Sequence, residues 1–122
     1  MRVVIIEDDR RYRMSLRTVI QHTPGLELAG AWSRLGDVAV SADVALVSGC
    51  GDIPARLAAA RAALPSGIAI VITDLPDDHA TAWAVLEAGA DGYVPRSASG
   101  FELLAVLRAA SRSSGGFPTI EP

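Results

Sequence analysis

The sequence predicts an α/β fold in which helices cover both faces of a parallel sheet. Three observations predict it. Short β-branched and aliphatic runs, each suited to a buried strand, recur along the chain. Segments with apolar residues at helical spacing separate these runs, so that strands and helices alternate as βα units. The length of 122 residues suits one domain with its own hydrophobic core.

The strands are predicted from the apolar runs. They span residues 3–6, 26–32, 44–47, 68–72 and 92–94. The run 3–6 is continuous and β-branched, which is typical of a strand buried on both faces. Right-handed crossovers between parallel strands leave few topologies open to such a chain.

A helix is predicted after each strand. The helices lie between residues 9 and 22, 33 and 40, 54 and 64, 78 and 89, and 101 and 112. Acidic residues 7–9 supply an N-cap to the first helix, and Asp77 or Asp78 caps the fourth. The second helix is predicted even though Gly36, a poor helix former, lies inside it.

Composition excludes several classes of protein. A net charge of −3 with 50% hydrophobic residues is too apolar for a disordered chain. A pI near 5.2 argues against nucleic-acid binding through the charge of this segment. No apolar run approaches the roughly 18 residues that span a bilayer. The single cysteine, Cys50, favours a reducing, cytoplasmic location, and all 11 basic residues are arginine, so that lysine is absent.

The residues that follow the strands are the candidates for function, because ligands of open α/β sheets bind at the carboxyl ends of the strands. Here these residues are the acidic run 7–9, the turn 48–52, the pair Thr73 and Asp74, and Arg96. The turn lacks the fingerprints of a hydrolase elbow or a dinucleotide site. We therefore expect no enzyme of either class.

Three stretches resemble one known family. Residues 3–9 resemble its first strand and acidic pair, residues 89–96 its fifth-strand signature, and residues 100–111 its last helix. The family is the CheY-like receiver domain of two-component response regulators, and the chain is most similar to the branch with a LuxR- or NarL-type helix-turn-helix domain. The resemblance implies a single flavodoxin-like domain over residues 1–112, with five βα units and strand order 2-1-3-4-5. It also implies that residues 113–122 begin a linker toward a helix-turn-helix domain that this chain lacks.

The resemblance also implies a site. Receivers of this family hold Mg²⁺ with an acidic pair and with an aspartate after the third strand, which accepts a phosphoryl group. A Thr or Ser and a Lys then bind the phosphoryl oxygens, and an aromatic residue relays the change. The matching positions here are Glu7 and Asp8 for the pair, Ser48 for the acceptor, Thr73 for the hydroxyl, Arg96 for the lysine and Tyr93 for the aromatic switch.

Three departures predict that this pocket is degenerate. Ser48 is a neutral hydroxyl that adds no carboxylate to a metal site and forms no acyl phosphate. Arg96 replaces a compact ammonium by a planar fork. Asp74 puts a carboxylate beside the place of an incoming phosphate. We expect a pseudo-receiver with no catalytic residue, no metal and no cofactor.

Two hypotheses concern the charges around this pocket. In one, Arg96 bridges Glu7 or Asp8 and substitutes for the metal, because crowded carboxylates need a cation. In the other, Arg96 points to solvent and the acidic residues only cap the first helix.

The expected function is that of a phosphorylation-independent dimerisation or interaction module in transcription regulation. Its expected partners are a second copy, DNA through a missing C-terminal domain, and a protein or small-molecule regulator, with no membrane. Tyr12, Leu103 and Val106 are candidate dimer contacts or plain core, and Trp83 is a packing residue or a partner anchor.

Two alternatives remain open at this point. One is a Mg²⁺-dependent receiver that binds the metal through Glu7 and Asp8 and accepts phosphate at a displaced aspartate, Asp52. The other is a stand-alone protein-interaction scaffold.

Overall fold

The strands of the sheet are formed where the apolar runs predicted them. The computed structural model describes residues 1–36, 38, 40–49 and 51–114. The strands are β1 (Arg2–Ile6), β2 (Glu27–Trp32), β3 (Val44–Ser48), β4 (Ala69–Leu75) and β5 (Gly92–Pro95). The helices are α1 (Arg10–Gln21), α2 (Ile53–Ala63), α3 (His79–Glu87) and α4 (Gly100–Ser114).

All paired strands are parallel, in the order β2-β1-β3-β4-β5. The predicted flavodoxin-like α/β fold and its strand order 2-1-3-4-5 are confirmed. The strand order reverses between β1 and β3, which places the carboxyl ends of these two central strands at the crevice where such sheets bind ligands.

Apolar side chains fill both faces of the sheet. On one face, Val3 and Ile5 of β1 pack with Leu16 of α1 and Leu107 of α4. On the other face, the alternate residues of the strands pack with side chains of α2 and α3. Because β1, β3 and most of β4 are buried on both sides, they read as continuous apolar runs rather than as alternating patterns.

The predicted helix over residues 33–40 is wrong. The described residues of this segment form bends and irregular structure that connect β2 to β3 without a helix. Its apolar residues still serve the core, because Val38 is buried and Leu35 and Val40 pack against the same cluster. The segment combines Gly36 with β-branched valines, both of which lower helix propensity. The fold therefore has four described helices instead of five.

The end of the domain differs slightly from the prediction. Helix α4 runs to Ser114, so the expected boundary after residue 112 falls inside the helix. Residues 115–122 of the expected linker lie outside the described residues, and their role stays a prediction. Within the part of the chain that the structure describes, no helix combines the length and apolarity needed to cross a bilayer.

Candidate functional site

The candidate site begins with one row of polar residues at the carboxyl edge of the sheet. Ser48 of β3 pairs in register with Thr73 of β4, and Glu7 follows Ile6, which pairs with Val47. Three adjacent strands therefore place Glu7, Ser48 and Thr73 side by side. All three side chains are fully buried. The structure thus brings together three of the six residues predicted for the pocket in one continuous row.

Each member of this row has a polar atom without a hydrogen-bond partner among the described residues. These atoms are Glu7 Oε1, Ser48 Oγ and Thr73 Oγ1. Buried polar atoms are nearly always hydrogen-bonded in native proteins, often through water. The row is therefore a buried polar cluster at the carboxyl edge of the sheet, with hydrogen-bonding capacity that no described residue uses.

Glu7 carries the strongest electrostatic perturbation in the row. Its Oε2 accepts a hydrogen bond from the Asp9 backbone N–H at 3.0 Å. The pKa of Glu7 is raised to about 7, mainly by burial and also by the neighbouring carboxyls of Asp8 and Asp74, while the Asp9 N–H acts in the opposite direction. A carboxyl with this pKa keeps its proton at pH values well above those at which an ordinary glutamate loses it.

Arg96 reaches the site from the end of β5. Its Nε donates to Asp74 Oδ1, and its Nη2 donates to Asp9 Oδ2 at 3.1 Å. Its guanidinium carbon lies 4.6 Å from the centre of the Tyr12 ring, within cation–π distance. We call Asp9, Asp74, Tyr12 and Arg96 the arginine clasp.

The bridging hypothesis therefore named the wrong carboxylates. Arg96 does turn toward the acidic edge, but its ion pairs in the described part of the chain join Asp9 and Asp74, not Glu7 or Asp8. Asp9 is the residue that sequence reasoning missed. The sequence places Asp9 in the acidic run at the carboxyl edge of the sheet, but nothing in its position next to the acidic pair indicates an ion pair with a residue 87 positions away.

Asp9 performs two tasks at once. Its Oδ1 accepts hydrogen bonds from the backbone N–H groups of Arg11 and Tyr12, which makes it the N-cap of α1. Its Oδ2 accepts from Arg96. The Tyr12 N–H and then Arg96 hold the pKa of the Asp9 carboxyl below its usual value. The predicted acidic cap of the first helix is confirmed, and Asp9 is the residue that provides it.

Asp74 reaches Arg96 through an irregularity in β4. The pairing of β4 with β5 shifts register between Thr73 and Leu75, and Asp74 between them has a φ of 65°. Positive φ is uncommon for residues other than glycine, although aspartate tolerates it better than most. Bulges of this kind re-aim a side chain at the end of a strand. The predicted strand ends at residue 72, where the apolar run stops, whereas β4 continues through this irregularity to Leu75.

Tyr12 and Leu103 belong to the core. Tyr12 is buried beneath Arg96, and burial raises the pKa of its hydroxyl to about 12. Leu103 is also buried, and Val106 is partly buried against the same cluster. Of the two interpretations given for Tyr12 and Leu103, dimer contact or core, their burial supports the core.

Tyr93 fastens the loop between β4 and α3. Its hydroxyl donates a hydrogen bond to the Pro76 carbonyl. The phenol pKa is raised, by partial burial first and then by Asp77 and Asp78. The loop is thus held at two points, by Tyr93 at Pro76 and by Arg96 at Asp74.

The donor set at this edge does not fit the Mg²⁺ that the resemblance implies. Mg²⁺ prefers carboxylate and water oxygens in octahedral geometry. The central position carries the hydroxyl of Ser48, and the oxygens of Asp9 and Asp74 are engaged by Arg96. No group of three His, Cys, Asp or Glu residues within the described ranges is arranged to hold a metal ion.

The remaining candidates have structural explanations or lie elsewhere. Asp52 is the exposed N-cap of α2, and its side chain accepts from the Ala55 backbone N–H at 3.3 Å. Trp32 packs against the core, whereas Trp83 on α3 is 68% exposed. Cys50 lies outside the described residues.

Comparison with known proteins gives structural matches only. No family model and no curated protein sequence matches the chain. Among solved structures, the signal receiver domain of NarL from Mycobacterium tuberculosis matches with a TM-score of 0.68 and 21% identity over 91% of this chain and 95% of that one. The LuxR-family two-component response regulator from Aurantimonas sp. SI85-9A1 matches with a TM-score of 0.71 and 23% identity over 92% and 85%.

This chain has the receiver fold. A third match, the RcsB response regulator of Salmonella typhimurium, agrees with a TM-score of 0.73 and 17% identity over 97% of this chain. The chain spans only 62% of the RcsB chain, which is therefore longer than the shared fold. At these identities the similarity establishes the receiver fold, and the chemistry of the site has to be argued from its own residues.

Proposed function

We propose that this chain is a pseudo-receiver, a receiver-type module that acts in signalling by contact with partners and without accepting a phosphoryl group. The observation that carries the proposal is the identity of the residue at the end of the central strand. There, Ser48 presents a buried hydroxyl between Glu7 and Thr73. A hydroxyl cannot form the acyl phosphate that the receiver chemistry requires.

Serine chemistry is not supported as a replacement. A serine nucleophile needs a base that removes its proton. Ser48 Oγ has no hydrogen-bond partner among the described residues, so no base is positioned on it.

The arginine clasp adds a second obstacle. The Asp74 carboxylate lies beside the polar row and is only 18% exposed. Its negative charge would repel an incoming phosphate. Arg96 is already hydrogen-bonded to Asp74 and Asp9, and its planar fork differs from the single ammonium of the lysine that the family uses.

We further propose a homodimer that forms through α3. Trp83 and Leu86 lie three residues apart on this helix and remain 68% and 49% exposed. Large exposed apolar residues that share a helix face are typical of interaction sites. A sedimentation measurement on the chain and on Trp83→Ser tests this, because the variant should be monomeric. Phe101→Ser, on α4, is the matched control and should stay dimeric, and an unchanged Trp83→Ser dimer would contradict the proposal.

The wider role that we propose is cytoplasmic transcription regulation. Residues 113–122 would begin a connection to a DNA-binding domain. The support is the length of matches such as RcsB, which was described in the context of DNA interaction and extends beyond the part that this chain spans.

Phosphorylation is tested directly by incubating the chain with acetyl phosphate and Mg²⁺ and measuring its intact mass. We expect no gain of phosphate. Ser48→Asp should also remain unphosphorylated at ordinary receiver rates, because Asp74 and Arg96 are still present. A hydroxylamine-labile phosphate that disappears in Asp52→Asn would instead support the displaced-acceptor alternative.

A further inference from the structure

Helix α1 presents a basic surface that the candidate site does not use. Arg10, Arg11 and Arg17 are exposed, and Met14 between them is 55% exposed. Met14 lies three or four residues along the helix from each of these arginines, so the four side chains are neighbours on one helix surface. We call these four residues the α1 arginine face.

The charges of this face are unfavourable for α1 by itself. Arg10 and Arg11 are the first two residues of the helix, where the macrodipole disfavours cations. The helix contains no acidic residue, and within the described part of the chain none of the three arginines forms an ion pair. Arg13 adds a further like charge one turn from Arg17. An arrangement that breaks local rules in this way is expected where a function compensates for it.

A partner for this face needs carboxylates and a small apolar group. Exposed guanidinium groups bind carboxylates through charge-assisted hydrogen bonds. Met14 adds a flexible apolar contact of the kind that is common at binding surfaces. The 12 residues of α1 extend over about 18 Å, which suits a short peptide or helix rather than a long polymer.

The rest of the molecule disfavours a large polyanion on the same face. The chain has a net charge of −3 although α1 contributes only positive charges, so the remainder is more acidic than the total. The exposed carboxylate of Asp8 also lies just before the helix. A nucleic acid or an anionic bilayer would extend past α1 onto such carboxylates and would be repelled there.

The α1 arginine face is separate from the proposed dimer surface. Helix α1 packs through Leu16 and Ile20 on one face of the sheet, whereas α3 packs through Val85 on the other. A dimer formed through α3 therefore leaves the α1 arginine face open.

We infer that the α1 arginine face is the docking surface for an acidic, partly apolar segment of a partner protein. The arginines bind its carboxylates, and Met14 contacts its apolar residue. Docking supplies counter-charges that no described residue provides, and it thereby offsets the unfavourable charges of α1. The inference goes beyond the proposed function, because it assigns a partner surface that neither the polar row nor α3 provides.

The test is fluorescence anisotropy at low salt with a fluorescein-labelled peptide of repeated Glu-Leu-Ala-Glu blocks. The original chain should bind this peptide and should not bind a copy with Gln in place of every Glu. The double variant Arg10→Gln with Arg17→Gln should bind at least about tenfold more weakly, because two charge-assisted contacts are lost. Arg108→Gln with Arg112→Gln removes the same charge from exposed positions of α4 and should bind like the original chain.

Urea unfolding of the same variants separates docking from structure. Arg10→Gln with Arg17→Gln should have a higher urea midpoint than the original chain, because α1 loses a cation at its first residue and a like charge beside Arg13. A purely structural role of these arginines would lower the midpoint instead.

Four outcomes overturn the inference. Absence of peptide binding by the original chain, or equal binding by the Arg10→Gln with Arg17→Gln variant, would mean that this face is not the docking surface. A lower urea midpoint of that variant would assign its arginines to the fold. Tighter binding of single-stranded DNA than of the acidic peptide would assign the face to nucleic acid. None of these results depends on phosphate transfer or on the dimer, so the inference can fail while the proposed function stands.

Discussion

Among single residues, Glu7 has the least expected environment. It is fully buried, and its raised pKa of about 7 contrasts with an ordinary value of 4.5. Such a shift connects the protonation of one side chain to the stability of the whole domain. Its main cause is desolvation, which follows from the complete burial of this side chain in the folded chain.

We predict that the stability of the domain falls between pH 4.5 and 7 because of Glu7. Over this range the unfolded chain releases the proton while the folded chain keeps it, so the free energy of unfolding decreases by up to about 1.4 kcal/mol per pH unit. The stabilisation that comes from the raised pKa of Glu7 is complete below pH 4.5 and is lost as the pH rises through 7. Urea unfolding at pH 5 and pH 7 measures it.

Glu7→Gln is the control for this prediction. It keeps an oxygen that accepts from the Asp9 N–H and removes the titrating group. The decrease in stability should become much smaller in the variant. The lowered pKa values of Asp9 and Asp78 affect stability only when the pH falls below their ordinary value of 3.8, outside the range measured. The same pH dependence in both proteins would refute the assignment to Glu7.

At the level of secondary structure, the helix ends show how local signals work. The sequence predicts that Asp77 or Asp78 caps the helix now called α3. Asp78 is the cap, because its carboxylate accepts hydrogen bonds from the Thr81 backbone N–H at 2.7 Å and from the Thr81 hydroxyl at 3.0 Å. A cap acts within a few residues and can therefore be predicted from a short stretch of sequence.

We predict that Asp78→Ala destabilises the domain by about 1 kcal/mol, the usual value of an N-cap. The variant leaves the first N–H groups of α3 without their side-chain acceptor. Asp77→Ala is the neighbouring control and should change stability by less than about 0.5 kcal/mol. The urea midpoints of the two variants decide the prediction, and equal midpoints would contradict it.

The segment between β2 and β3 shows the opposite case. Leu35 and Val38 have the spacing of a helix face, and the structure buries Val38 without forming a helix. Helical spacing alone cannot distinguish a helix from an irregular segment that packs the same side chains on a sheet. Here Gly36 and the valines, together with contacts to the second core cluster, favour the irregular segment.

On the scale of the whole molecule, apolar side chains divide between a two-sided core and the surface. Leu107 of α4 is fully buried against the sheet, whereas Leu86 of α3 is half exposed. The two leucines have the same chemistry and both lie in helices. Their difference is a property of the tertiary structure.

We predict that Leu107→Ala destabilises the domain by about 2–5 kcal/mol, through lost burial and the cavity that remains. Leu86→Ala should cost less than about 1 kcal/mol, because its side chain keeps much of its contact with water. Thermal or urea unfolding of the two variants makes the comparison. The measurement is made at protein concentrations low enough for the dimer proposed through α3 to dissociate, and similar losses under those conditions would contradict the prediction.

Much of the fold could be predicted because its signals are local and repeated. The apolar runs of the strands, the acidic cap before α1 and the turn that ends it each depend on a few neighbouring residues. The pocket could be predicted in part for the same reason, since the carboxyl ends of parallel strands meet at one edge. The sequence therefore determined the fold class, the strand order through the family resemblance, and the polar row of Glu7, Ser48 and Thr73.

The tertiary structure alone decided how the charges at that edge are neutralised. The pairing of Arg96 with Asp9 and Asp74 joins residues far apart in the chain and requires a left-handed aspartate in a bulge. The length of a side chain and the geometry of its hydrogen bonds select among several nearby carboxylates only once the backbone has placed them. Local sequence patterns do not show how far Arg96 lies from each carboxylate in the folded chain. The sequence could therefore indicate a cation at this edge but not which carboxylates it would bind.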